Sequence, residues 1–138
     1  MNQDGYYRVS IKGIVVDSDG SILLSREDNG KWELLGGGLQ HGEDPIDCLR
    51  REILEETGLQ VTYVAPKPSY FLTAQRLGTD TYVANVIYEI QLQNLDFTPS
   101  DECVELKFFS PDEMGELDVF PNVAPFRQLL LAERGGAA

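Results

Sequence analysis

The sequence predicts an α/β protein in which a mixed β-sheet packs between helices. Three observations carry this reading. Short runs rich in β-branched and apolar residues recur along the chain. They surround two helical stretches, one early and one terminal, and sheet-forming runs of that kind must cover their apolar faces with the helices. The length of 138 residues, with 42% hydrophobic and 25% charged content, suits one core and one domain over residues 1–138.

The elements follow in order. Tyr7 to Val16 reads as a strand, Asp17 to Gly20 as a turn, and Ser21 to Arg26 as the returning arm of a hairpin. Glu27 to Lys31 is a polar loop, and Trp32 to Leu35 a short strand running into Gly36-Gly37-Gly38. A helix then begins with Asp44 as N-cap, Pro45 in the first helical position and Asp47 in the first turn, and Gly58 ends it. Its apolar arc is Ile46, Leu49, Ile53 and Leu54, with Glu52, Glu55 and Glu56 on a neighbouring arc that faces a cleft. Gln60 to Val64 starts a strand that Pro66 and Pro68 break and Ser69 to Gln75 resumes. Arg76 to Asp80 turns the chain into a long strand, Thr81 to Leu92, and Asn94 to Ser100 is a loop. Cys103 to Phe109 is a further strand, with Val104, Leu106 and Phe108 alternating. Ser110 caps a short helix from Pro111 to Leu117. Asn122 to Arg134 is the terminal helix, with Pro125 in its first turn, and Gly135 to Ala138 is expected to fray.

The bulk numbers exclude several classes. A net charge of −12 argues against duplex nucleic acid and against an anionic membrane as partners. It does not exclude an anionic small molecule drawn in by metal and a few local cations. No apolar run reaches membrane-spanning length, and the N-terminus lacks a signal-peptide pattern. Cys48 and Cys103 are too few and too scattered for a disulfide framework or zinc site, so a cytoplasmic location with reduced thiols is expected.

The segment from Gly37 to Leu59 carries the chemistry. On a helix, Glu52, Glu55 and Glu56 stand at i, i+3 and i+4 and share one side. Carboxylates so close repel one another unless a cation sits among them. An all-oxygen donor set suits Mg²⁺ or Mn²⁺ rather than zinc or copper. Gly37, five residues, Glu43, seven residues, Arg51-Glu52-Ile53, one residue, Glu55-Glu56, one residue, Gly58-Leu59 resembles a complete Nudix box. One local departure is Leu35 before the triple glycine, where relatives often carry proline.

The resemblance implies the three-layer α/β/α Nudix fold and a hydrolase that cleaves the diphosphate of a nucleoside diphosphate derivative by water attack on phosphorus. It implies Mg²⁺ or Mn²⁺ as cofactor, held by Glu52, Glu55 and Glu56 with the backbone carbonyl of Gly37. Arg51 is implied to pair with Glu43 or Glu52, and Gly58 and Leu59 to be structural. The base toward water is left open among the glutamates. A further carboxylate is taken from Glu102, with Glu105 as the alternative. Arg26, Trp32 and Arg76 are candidate substrate contacts. A solvated charge is the competing role for each arginine, and core packing for Trp32. His41 is read as an exposed loop residue and Cys48 as a small packed side chain.

Substrate is marked outside the box in this family. A proline about fifteen residues beyond it resembles the ADP-ribose group, and a tyrosine about sixteen to eighteen beyond it the dinucleoside polyphosphate group. Ala74-Gln75-Arg76-Leu77 carries neither, so the chain resembles the MutT-like members, with a nucleoside triphosphate or nucleotide-sugar-like substrate. Two rivals stand beside this reading. One is a nucleotide-sensing domain without catalysis, which the intact acidic set disfavours. The other is an isomerase-type member, whose extra catalytic residues Cys48 and Cys103 do not supply. A homodimer is compatible with the sequence.

Overall fold

The computed structural model describes residues 5–135. The chain runs β1 (Tyr7–Ile14), β2 (Ile22–Arg26), β3 (Trp32–Glu33), β4 (Leu35–Gly38), α1 (Pro45–Thr57), β5 (Val61–Val64), β6 (Tyr70–Gln75), β7 (Tyr82–Leu92), β8 (Glu105–Phe109), α2 (Pro111–Met114) and α3 (Val123–Gly135). The main sheet has five strands in the order β4-β1-β7-β5, with β6 also on β7. It is mixed, because β1 runs parallel to β7 and antiparallel to β4. A second, antiparallel sheet of three strands has the order β3-β2-β8.

Two sequence expectations are corrected here. The first two strands do not form a hairpin. Asp17 does build a turn, its carboxylate accepting from the N–H groups of Asp19 and Ser21. Beyond it the two arms meet briefly, through Asp17 N–H to the Ser21 carbonyl, the Val16–Ile22 bridge and the bond from Leu23 N–H to the Val15 carbonyl. Both edges of β1 are already occupied by β4 and β7, so β2 turns into the other sheet. The expected strand from Trp32 likewise splits at Leu34, giving β3 to one sheet and the glycine strand β4 to the other. Pro66 and Pro68 break the next strand as expected, and β5 and β6 pair with different stretches of the same strand, β7.

Each face of the main sheet buries its own core. On one face Leu49, Ile53 and Cys48 of α1 pack against Ile11, Leu35, Val61 and Ile90. Leu54, expected in that arc, is 44% exposed, and Cys48 takes the buried place. On the other face Phe126, Leu130 and Val123 of α3 pack against Ile14, Leu72, Ile87 and Trp32. Helices thus lie on both faces of the sheet. Phe126 has no exposed surface and meets the Tyr70 ring edge-on at 5.4 Å. Phe126→Ala is expected to destabilise the protein by about 3–5 kcal/mol, read as a lowered denaturant midpoint at unchanged slope. The terminal helix extends through Gly135, and residues 136–138 of the expected frayed tail lie outside the described residues.

Candidate active site

Both ends of α1 are fixed by side chains. The Asp44 carboxylate accepts from Ile46 N–H at 2.8 Å and from Asp47 N–H at 3.3 Å, and Pro45 occupies the first turn. At the other end Gly58 N–H donates to the Leu54 carbonyl. The last carbonyls, which a helix cannot satisfy internally, are taken by a neighbouring loop. Ser100 Oγ donates to the Glu56 carbonyl at 2.9 Å, and Thr98 N–H to that of Thr57 at 2.8 Å. The acidic turn is therefore clamped from outside the helix.

Arg51 organises the acids on that turn. Its guanidinium grips both oxygens of Glu43, at 2.7 and 3.0 Å, reaches Glu52 at 3.1 Å and Glu55 at 3.3 Å, and donates to the Gly38 carbonyl at 3.3 Å. A planar fork with five donors suits such a set of acceptors. The hydrogen bonds from Arg51 hold the Glu43 carboxyl down at about 2. Reciprocally, Glu43 raises the pKa of Arg51.

The three box glutamates do not share one environment. Glu55 is exposed and Glu52 is largely covered, whereas Glu56 is buried with 6% exposure. Glu56 Oε1 accepts from Gly36 N–H at 3.0 Å, and burial pushes its carboxyl up to about 8 despite the opposing charge of Lys12. Lys12 is itself buried, its Nζ donating to the carbonyls of Gly36 at 3.1 Å and Leu34 at 3.4 Å, with Glu33 at 3.8 Å.

Strand β4 is what brings these groups together. It is an edge strand, and Leu39 N–H donates to the Val9 carbonyl. The alternation of an antiparallel ladder then turns the Gly37 backbone groups toward β1 and those of Gly36 and Gly38 outward. Glu56, Lys12 and Arg51 bond to those outward groups. The outward carbonyls are thus those of Gly36 and Gly38, while the sequence expectation placed that carbonyl on Gly37. Side chains added to the three glycines would point to alternate faces. A Cβ on Gly37 would overlap the Glu52 carboxylate, and one on Gly38 the Arg8 guanidinium.

On the face of the sheet opposite α1 lies an open cavity of about 430 Å³. Arg8, Ser10 and Lys12 of β1 and Val83 and Asn85 of β7 form its floor, and Arg76 and the 120–122 segment line its sides. That segment is held in place where Phe120 N–H donates to the Trp32 carbonyl at 3.0 Å. Asn122 Nδ2 donates to Asn85 Oδ1 at 3.2 Å, and the buried Asn122 Oδ1 has no partner.

Of the residues singled out from sequence, Arg51, Glu52, Glu55, Glu56 and Gly37 come together at α1 and β4. Arg76 lines the cavity. Trp32 is buried edge-on against Phe109 at 4.7 Å and is not in the cavity lining. Arg26 pairs with Glu105 at 3.1 Å and lies over the Trp32 ring. Glu102 is exposed on the turn before β8; after burial and Glu33, its charge is a further cause raising the pKa of Glu27. His41 is exposed. Cys48 is buried, which pushes its thiol up to about 11, and the thiol faces the Gly37 and Gly38 carbonyls. Sequence reasoning missed Lys12, Gly36, Asn85 and Asn122. The available signal was a polar side chain inside each of two apolar strand runs.

Among the described residues no three acidic, histidine or cysteine side chains are drawn together as a ready-made metal cage. Arg51 holds Glu52 and Glu55, and Glu56 turns inward to Gly36. The donor chemistry nonetheless fits a hard cation. All donors are oxygens, and the buried Glu56 carboxyl resists ionisation unless positive charge comes close.

Comparison with known proteins identifies the family and the fold. The NUDIX domain matches residues 6–131. A nucleoside triphosphatase NudI of Salmonella paratyphi B is 32% identical over 130 residues, covering 85% of this chain and 91% of the relative. A MutT-like protein of Streptomyces ambofaciens is 32% identical over 111 residues, covering 80% and 68%. Among solved structures, the E. coli ORF135 protein superposes with a TM-score of 0.76 at 22% identity, covering 96% of this chain and 94% of that one. MutT protein from Methanosarcina mazei Go1 gives 0.70 at 21% identity, covering 99% and 100%. These structural likenesses establish the fold. With the box complete from β4 through the end of α1 and the domain matched over residues 6–131 of the chain, the chain belongs to the Nudix hydrolase family.

Proposed function

We propose that the protein is a Mg²⁺- or Mn²⁺-dependent pyrophosphohydrolase of a nucleoside triphosphate or nucleotide-sugar-like compound. The observation that carries this is a partition. A cavity with cationic lining lies on one side of a bare glycine edge strand, and a helix bearing Glu52, Glu55 and Glu56 on the other. A nucleoside seated in the cavity can pass its diphosphate around the edge of β4 to the acids.

Arg8, Lys12 and Arg76 supply local positive charge in a chain whose net charge is −12. Asn85 and Asn122 bring side-chain amides to the cavity lining, groups of the kind that read a base by hydrogen bonds. The acids of α1, with the outward carbonyls of β4, are the residues that would hold the metal. A divalent ion bound there would supply charge neutralisation of the diphosphate and a more acidic water. Arg51 fixes the orientation of Glu52 and Glu55, Gly36 N–H anchors Glu56, and one of these helix carboxylates takes the proton from the attacking water. The triphosphate preference draws support from the NudI relative, a nucleoside triphosphatase.

The test is a release assay over nucleoside triphosphates, nucleotide sugars, ADP-ribose and dinucleoside polyphosphates, with and without Mg²⁺ or Mn²⁺. Metal-dependent turnover of a triphosphate or nucleotide sugar is expected. Binding of nucleotides with turnover of none would replace this reading with a sensor.

A further inference from the structure

Lys12 is a charged side chain in an otherwise apolar stretch, Ile11 to Val16, and only 6% of it is exposed. Packing alone would favour an aliphatic residue there, since burying an ammonium is unfavourable unless it is well paired. Its pairing is incomplete. An ammonium has three donors, and charge-assisted bonds normally run about 2.7–2.9 Å. Here the contacts are two neutral carbonyls at 3.1 and 3.4 Å and the Glu33 carboxylate at 3.8 Å. Its position is equally specific. Lys12 lines the cavity and bonds the Gly36 carbonyl, while Gly36 N–H holds Glu56 of the acidic helix. It stands where the cavity meets the edge strand.

We propose that Lys12 is a phosphate-contacting residue: its ammonium takes a non-bridging oxygen of the substrate where the phosphate chain leaves the cavity and rounds β4. This rests on the reading of the cavity as the nucleoside site. It makes Lys12 a fixed cation that works alongside the metal and independently of which base is bound. A preset donor aimed at phosphate oxygens needs no rearrangement as charge develops.

The experiment compares the wild type with Lys12→Gln, which keeps a donor for the Gly36 carbonyl but drops the charge, and with Lys12→Arg. Metal-free calorimetry with AMP, GMP, CMP and UMP is run beside the same nucleosides without phosphate. Lys12→Gln is expected to weaken all four monophosphates by about 10-fold or more and to leave the nucleosides unchanged. It is expected to lower kcat/KM about 100-fold for every accepted base, with partial rescue by Lys12→Arg. Should Lys12→Gln fail to fold, Glu33→Gln, which frees the ammonium, is expected to tighten monophosphate binding. Unchanged binding in these variants, losses confined to particular bases, equal losses for the nucleosides, or no monophosphate binding by the wild type overturns the proposal. If the wild type binds monophosphates yet hydrolyses nothing, the enzymatic reading falls while the calorimetry still decides the role of Lys12.

Discussion

Glu56→Gln is expected to lower kcat by about 10²–10⁴-fold while raising the melting temperature of the metal-free protein. Both effects come from one buried carboxyl. The Gly36 N–H needs only an acceptor oxygen, which glutamine keeps, so the fold is retained. The wild-type carboxyl, by contrast, is pushed by burial from an ordinary value of 4.5 to about 8. The folded state therefore binds this proton more tightly than the unfolded state. That stabilisation is fully present below pH 4.5 and is lost as pH rises through about 8. Metal-free wild type should lose melting temperature across this window, and Glu56→Gln should lack that part of the slope. Saturating Mg²⁺ should restore the wild type at high pH, since an ion that binds the folded state stabilises it. Melting curves across the window, with and without Mg²⁺, check all three. An identical pH slope in the two proteins would show that Glu56 does not carry the strain assigned to it.

Gly36→Ala and Gly37→Ala are expected to fail in different ways. Gly36 has φ of +115°, and an added Cβ would overlap the Ile11 carbonyl oxygen and stand 2.9 Å from Lys12 Cα. These are backbone atoms of the adjoining strand and cannot swing aside. A loss of about 3–5 kcal/mol is expected, with β4 leaving β1 and activity lost with it. At Gly37 the obstacle is the Glu52 carboxylate, the far end of a flexible side chain. Stability should change by about 1 kcal/mol or less, while turnover falls about 100-fold because Glu52 is displaced. Urea unfolding beside turnover separates the two. Equal stability losses at both positions would contradict the alternating faces of β4.

The helix and its acids were legible because their signals are local. Asp44, Pro45 and Gly58 mark the ends through short-range hydrogen bonds, and those bonds are present. Arg51 was legible for a similar reason, since most of its partners lie within a turn or two of it. Strand partnership was less legible. The Asp17 turn is real, but which strand β2 joins depends on β4 and β7 having filled both edges of β1, and no local pattern carries that. Spacing also placed Glu52, Glu55 and Glu56 on one arc without separating their depths. Neighbouring β4 decides that Glu56 is buried and Glu55 exposed. Leu54, placed on the buried arc, is exposed for the same reason: helical arithmetic gives a direction, not the distance to the sheet. Lys12, Asn85 and Asn122 come from three distant stretches of chain, and their meeting at one cavity follows only from the β1–β7 register and the docking of the 120–122 segment.

The two cysteines have a consequence for chemical durability. Both are fully covered, and burial pushes each thiol up to about 11. At neutral pH neither offers the thiolate that peroxide or a foreign disulfide attacks. Neither thiol is therefore expected to be a site where mild oxidants inactivate the folded protein.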